Sequence, residues 1–223
     1  MSVSPRSIDV RADPDADLAE VVEHLEAGGL IAYPTETVYG LGGAVTDAAV
    51  ERTRTLKGRG RGKPLIVLVA SADAVSGLRW TDAARELARL FWPGPLTLVL
   101  EDPLGIFPRG VRNEDTHAVG VRVSPHPLVG RLVEEFGGPL TSTSLNAPGA
   151  SPAASGSEAL EVVRLLGARD VVVLDGGTLP SSRPSSVVDC TGEAPVVIRE
   201  GAVPTSRLRC AVPEIHGPQP DRG

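Results

Sequence analysis

Apolar residues recur along the chain in short runs broken by glycine and proline, and the runs alternate between two periods. Leu18, Val21, Val22 and Leu25 fall at helical spacing within residues 15–27, and Gly28-Gly29 supplies a stop. "GLIAYP" then reads as a buried strand, followed by a loop over "TETVYGLG". A second helix is predicted over 47–57, capped by Thr46 or Asp47, before the strand "PLIVLVA". Thr81 caps a third helix whose Leu87, Leu90 and Phe91 share a face, until Pro93-Gly94-Pro95 turns the chain into "LTLVLE".

The alternation continues. "AVGVRVS" is a strand, and Pro125 and Pro127 suit the opening of a helix bearing Leu128, Val129, Leu132, Val133 and Phe136, closed by Gly137-Gly138. The strand "PLTSTS", a loop, a helix over 157–166 and the strand "DVVVLD" follow, and "SSVVDC" and "APVVIRE" flank the short turn "TGEA". Two strands joined by a short turn pair antiparallel, so the pattern predicts one α/β domain with a twisted mixed sheet flanked by helices. Its bounds are residues 15–201, with an N-terminal extension over 1–14 and a polar, proline-bearing, flexible tail over 202–223.

Composition narrows the class. A net charge of −6 argues against a broad nucleic-acid-binding face, so any phosphate contact must be local. Cys190 and Cys210 are too few for a disulfide framework and lack the spacing of a zinc or redox site. The first residues lack the apolar core of a signal peptide, and no apolar stretch approaches the roughly 18–20 residues of a membrane span. A reduced, cytoplasmic setting without membrane contact is the expectation.

Against that charge, "KGRGRGK" concentrates Lys57, Arg59, Arg61 and Lys63 between glycines. It is not a P-loop: three residues rather than four separate Gly58 from Gly62, Pro64 follows Lys63, and a strand follows where a P-loop precedes a helix. A solvated loop at a helix end is one reading. The glycines favour the other, a backbone that approaches a ligand closely.

Two polar clusters at strand ends supply partners. Thr35, Glu36 and Thr37 follow the strand "GLIAYP", at the position where open α/β sheets bind ligands. In "TSTSLN", alternation puts Ser142, Ser144 and Asn146 on one face if the strand extends that far, a set suited to orienting a polar ligand. Arg122 lies inside an apolar strand and needs an anionic partner, either a structural carboxylate or a bound one. No serine-nucleophile elbow is present, and His24, His117, His126 and His216 show no metal-ligand spacing. Glu36, Asp175 and Asp189 read by default as surface or capping groups, with a magnesium ligand as the alternative.

Taken in order, "YPTETVYGLG", "KGR" before "PLIVLV", "WPGPLTLVL", "VGVRVSPHPL", "STSLN", "SSVVDC" and "VVIREG" closely resemble the YrdC-like threonylcarbamoyl-AMP synthase family from about Ala16 to Gly201. The resemblance implies a nucleotidyltransferase that joins L-threonine, bicarbonate and ATP, with Mg2+, into threonylcarbamoyl-adenylate and releases pyrophosphate. That is the first step of threonylcarbamoyladenosine biosynthesis beside the tRNA anticodon, and it implies downstream threonylcarbamoyl-transferase proteins and tRNA as partners. Carried over by motif, Lys57 and Arg59 are the catalytic pair at the ATP phosphates. Lys63, Ser144, Asn146, Ser151 and Arg199 join them at the nucleotide. Thr35, Arg122, Ser142 and Ser185 fall at the threonine, and no protein metal ligand is implied. Gly60, Lys63, Leu68 and Leu145 depart from residues common in the family.

Two rivals share the fold: a double-stranded RNA or tRNA-binding module, and a carbamoyl-transfer enzyme related to hydrogenase maturation proteins. RNA affinity without ATP turnover would favour the first. Pyrophosphate release that ignores threonine would favour the second.

Overall fold

The structure, a computed structural model, describes residues 5–11, 17–58, 60 and 64–217. Its elements in chain order are β1 (Arg6–Asp9), α1 (Ala19–Glu26), β2 (Leu30–Pro34), β3 (Tyr39–Gly43), α2 (Asp47–Leu56), β4 (Ile66–Leu68), α3 (Asp82–Phe91) and β5 (Leu96–Glu101). There follow β6 (Ala118–Arg122), α4 (Pro127–Phe136), β7 (Leu140–Ser144), α5 (Gly156–Leu165), β8 (Val172–Asp175), β9 (Ser186–Asp189), β10 (Val196–Arg199) and α6 (Thr205–Ala211). The strands form one sheet in the order β1-β8-β2-β3-β7-β4-β6-β5-β9-β10. Pairing is mixed, with β4 parallel to β6 and β5 to β9, while β3 and β4 each run antiparallel to β7.

Sequence signals explain most boundaries. The Thr46 side chain accepts from the Ala49 N–H at the start of α2, and Thr81 does the same for Ala84 at the start of α3. Gly137, at φ +69°, ends α4 in the left-handed conformation that disfavours a side chain. Along β2, Ile31 and Tyr33 face α1 and α4, whereas Leu30 and Ala32 face α5. Both faces are covered, which is why this strand reads as continuously apolar. A third core packs α3 and α6 over β4, β5, β6, β9 and β10.

Several expectations are corrected. Part of the predicted extension is β1, an edge strand paired parallel to β8 from Arg6↔Val172 to Asp9↔Asp175. The predicted flexible tail is corrected for residues 202–217: α6 forms there, and Leu208, Val212 and Ile215 are buried in the core beneath α3. His216 then pairs with the edge of β10, its carbonyl accepting from Val197 N–H at 2.9 Å. Residues 218–223 lie outside the described residues. Leu90 is 46% exposed, because the buried face of α3 is centred on Ala84, Leu87 and Ala88.

The stretch read as a loop after "GLIAYP" is a hairpin whose second strand is β3, paired from Leu30↔Gly43 to Pro34↔Tyr39. Gly42 sits against β7 so closely that a Cβ would lie 1.7 Å from the Thr141 carbonyl oxygen. Glycine there marks close backbone approach, and it disguises a strand.

Candidate functional site

Alternation along β7 sets the site's floor. Thr141 and Thr143 are buried, and Thr141 Oγ1 is held by the Gly43 N–H and carbonyl at 3.0 and 3.1 Å. Ser142 and Ser144 fall on the opposite face, half-buried, as the alternation predicts, and both line a cavity of about 90 Å³. The cavity is otherwise walled by Thr143, by the hairpin loop (Thr35, Thr37, Val38), by Gly40, Ile66 and Arg122, and by Pro184, Ser185 and Arg199.

The hairpin loop is fixed by its own hydroxyls. Thr35 Oγ1 donates to the Val38 carbonyl at 2.7 Å, accepts from the Thr37 N–H at 3.2 Å, and lies 3.0 Å from Thr37 Oγ1. This is hydroxyl-for-backbone turn chemistry, and it presents Thr35 and Thr37 to the cavity in one arrangement.

Arg122 ends β6 and is 5% exposed. Its Nη2 donates to Glu36 Oε2 at 2.9 Å, and the same oxygen accepts from Ser124 Oγ at 2.7 Å. Burial pushes the guanidinium below its ordinary range, opposed by the charge of Glu36. The surface or capping default for Glu36 is thereby corrected: it is the internal counter-ion of Arg122, 86 residues away in sequence. Burial also lowers His126, which occupies the N-cap of α4 with its N–H on Ser124 Oγ at 3.2 Å.

On the far wall, Ser185 Oγ lies 3.0 Å from Thr97 Oγ1. Arg199, just past a register shift between β9 and β10, donates to the Ser185 carbonyl through Nε and Nη2 at 3.1 and 2.8 Å. An arginine and a serine distant in sequence thus reach the cavity as one unit.

At the nucleotide side predicted from sequence, Lys57 is the C-cap of α2, and its Nζ donates to the Asn146 carbonyl at 2.6 Å and to Oδ1 at 2.9 Å. Ser144 Oγ donates to the same Oδ1 at 2.8 Å. Lys57, Asn146 and Ser144 therefore form a continuous polar row leading from the cation loop to the cavity. Arg54, buried on α2, donates through Nη2 to the Gly60 carbonyl at 3.1 Å and ties that loop to the helix. Ser151 is exposed and is not among the cavity-lining residues. Arg59, Arg61 and Lys63 lie outside the described residues.

Of the predicted residues, the structure brings Thr35, Arg122, Ser142, Ser144, Ser185 and Arg199 around one cavity, with Lys57 and Asn146 joined to its Ser144 edge. Sequence reasoning passed over Val38, Ile66 and Thr97. The alternation of Ile66 with buried Val67 in β4 is the signal that places Ile66 on the cavity face. Among the described residues no three His, Cys, Asp or Glu side chains gather as a metal site, and no helix is long and apolar enough to cross a membrane.

This fold and site define an α/β protein with a polar-lined cavity over a mixed sheet, with an arginine at one side and the Lys57–Asn146–Ser144 row at the other. The Sua5/YciO/YrdC family model, described as telomere recombination, matches residues 23–201, and the chain belongs to that family. A Chromohalobacter salexigens protein named threonylcarbamoyl-AMP synthase is 40% identical over 175 residues, 77% of this chain and 91% of its own. The Bacillus subtilis threonylcarbamoyl-AMP synthase is 33% identical over 91% of this chain. The crystal structure of Pyrococcus abyssi Sua5 complexed with L-threonine superposes with a TM-score of 0.85 at 31% identity over 95% of this chain. The chain spans 58% of the Bacillus protein and 62% of the Pyrococcus one.

Proposed function

We propose that this protein is an L-threonylcarbamoyladenylate synthase, forming threonylcarbamoyl-AMP and pyrophosphate from L-threonine, bicarbonate and ATP. One observation supports the reading: β7 lines the cavity and, at its end, adjoins a polar row. Ser142 faces the cavity that holds Arg122, and Ser144, two residues on and about 7 Å along the strand, opens the row to Asn146 and Lys57.

Arg122 suits the carboxylate of threonine, with Thr35, Ser142 and Ser185 around the amino acid. Lys57 and Arg59 stand for the phosphate path, with Lys63, Ser144, Asn146, Ser151 and Arg199 assigned to the nucleotide. The threonine amine and bicarbonate condense to a carbamate, losing water. A carbamate oxygen then attacks the ATP α-phosphorus, and the bond to the β-phosphate oxygen breaks to release pyrophosphate. Side chains that align two anions and offset their charge lower this barrier without a protein nucleophile. Lys57 contributes charge, Arg122 orientation, and the hydroxyl-lined cavity a fixed approach. Magnesium is proposed to enter with ATP and to offset phosphate charge there.

The proposed setting is the cytoplasm, where the adenylate passes to threonylcarbamoyl-transferase proteins acting on tRNA. The test is pyrophosphate release by purified protein with ATP, magnesium and bicarbonate. Release that rises on adding L-threonine supports the reading. Release indifferent to threonine, or salt-sensitive RNA binding without ATP turnover, contradicts it.

A further inference from the structure

We propose that Glu36 is a positioning residue for the substrate carboxylate: held in place by Ser124, it fixes the Arg122 guanidinium before the substrate arrives. This role rests on the threonine reading above, and it extends that reading to a residue outside the assigned set.

The geometry supplies a chain of three contacts. The His126 backbone N–H donates to Ser124 Oγ at 3.2 Å, Ser124 Oγ donates to Glu36 Oε2 at 2.7 Å, and Arg122 Nη2 donates to that same oxygen at 2.9 Å. The chain links the β2–β3 hairpin loop to the β6–α4 junction. A long side chain such as arginine loses considerable rotamer freedom when fixed, and fixing it in advance removes that cost from ligand binding.

The donors left over fit this role. Nη2 is committed to Glu36, Nε is buried without a protein partner, and Nη1 makes no hydrogen bond among the described residues while Arg122 lines the cavity. Glu36 Oε1 is likewise buried and has no partner among the described residues. A buried guanidinium bound on one side by a fixed carboxylate leaves Nη1 to donate to a second carboxylate, and the fixed pair supplies the charge compensation that burial demands. Were Glu36 instead a stand-in that the substrate must displace, Ser124 would be an unneeded second anchor on it.

The experiment is calorimetric titration of L-threonine and, separately, of ATP with magnesium into wild type, Glu36→Gln, Glu36→Ala and Ser124→Ala, with melting temperatures alongside. Glu36→Gln keeps an oxygen acceptor for both donors, and its threonine Kd should stay within about threefold of wild type, whereas Glu36→Ala should raise it about tenfold or more. Ser124→Ala, which leaves the ion pair intact, should raise it by about threefold. ATP affinity should be unchanged throughout, and kcat at saturating threonine should move far less than KM. Tighter threonine binding by Glu36→Ala would show a displaced stand-in and overturn the proposal. Equal losses of ATP and threonine affinity in Ser124→Ala and Glu36→Gln would show a merely structural pair and overturn it as well. A wild-type protein that binds ATP but no threonine would instead overturn the functional reading itself.

Discussion

Lys57 Nζ sits 2.6 Å from the carbonyl oxygen and 2.9 Å from the side-chain oxygen of Asn146, so the end of α2 is fastened to the end of β7 by one cation. The residue proposed to carry charge to the phosphate path is therefore already held, and Asn146 holds it. Lys57→Ala is expected to lower turnover at least about tenfold by removing that charge. Asn146→Ala should lower it less, and the double variant should resemble Lys57→Ala alone, a non-additivity that initial-rate measurements on all four proteins would detect. Additive losses would mean that the two act independently.

Arg122→Ala should raise the KM for threonine well above its effect on the KM for ATP. It should also destabilise the fold by about 3–5 kcal/mol, because it leaves Glu36 as an internal carboxylate without its counter-ion. Denaturant unfolding monitored beside the kinetics separates the two effects. A selective loss of ATP affinity would remove Arg122 from the threonine side.

Alkaline pH should destabilise the protein for a stated reason. Burial pushes the Cys190 thiol up to about 12 from 9.0 and the Tyr33 phenol up to about 12 from 10.0. Above their unfolded values these groups keep protons in the folded state that the unfolded chain releases. Stability therefore falls as pH rises through the window from about 9 to about 12. Melting temperature should decline across that window, and Cys190→Ala should flatten the lower part of the decline. In the native protein a thiol reagent should modify exposed Cys210 and spare Cys190.

Leu208→Ala should cost about 2–5 kcal/mol, the price of a cavity in a core that α6 completes. Guanidinium unfolding measures it. A loss below about 0.5 kcal/mol, typical of a surface change, would mean that residues 202–217 contribute little to the fold in solution.

Most of the architecture was legible because the central strands are apolar on both faces and the helices carry clear caps at Thr46 and Thr81. Three elements were not. β3 is "YGLGG", whose Gly42 and Gly43 are demanded by neighbouring backbone rather than by a turn, so local composition pointed the wrong way. β1 is a short edge strand with little apolar content, and α6 buries Leu208 with Val212 and Ile215 beyond it, too sparse a pattern between prolines to read as a helix.

At the site, Arg122 stood out as a cation in an apolar strand, and Ser142 and Ser144 followed from strand alternation. The partner of Arg122 did not, because a pair 86 residues apart leaves no local trace. Arg59 and Lys63, prominent in the sequence, lie outside the described residues, and their roles rest on the family pattern.

The central claim is that the cavity and the Lys57–Asn146 row beside it together join threonine, bicarbonate and ATP. The most direct measurement is mass spectrometry of the reaction with 13C-labelled bicarbonate and L-threonine. The account predicts an adenylate carrying the isotope, formed only when threonine, bicarbonate and ATP are all present. Pyrophosphate released without any labelled threonylcarbamoyl-adenylate would contradict it.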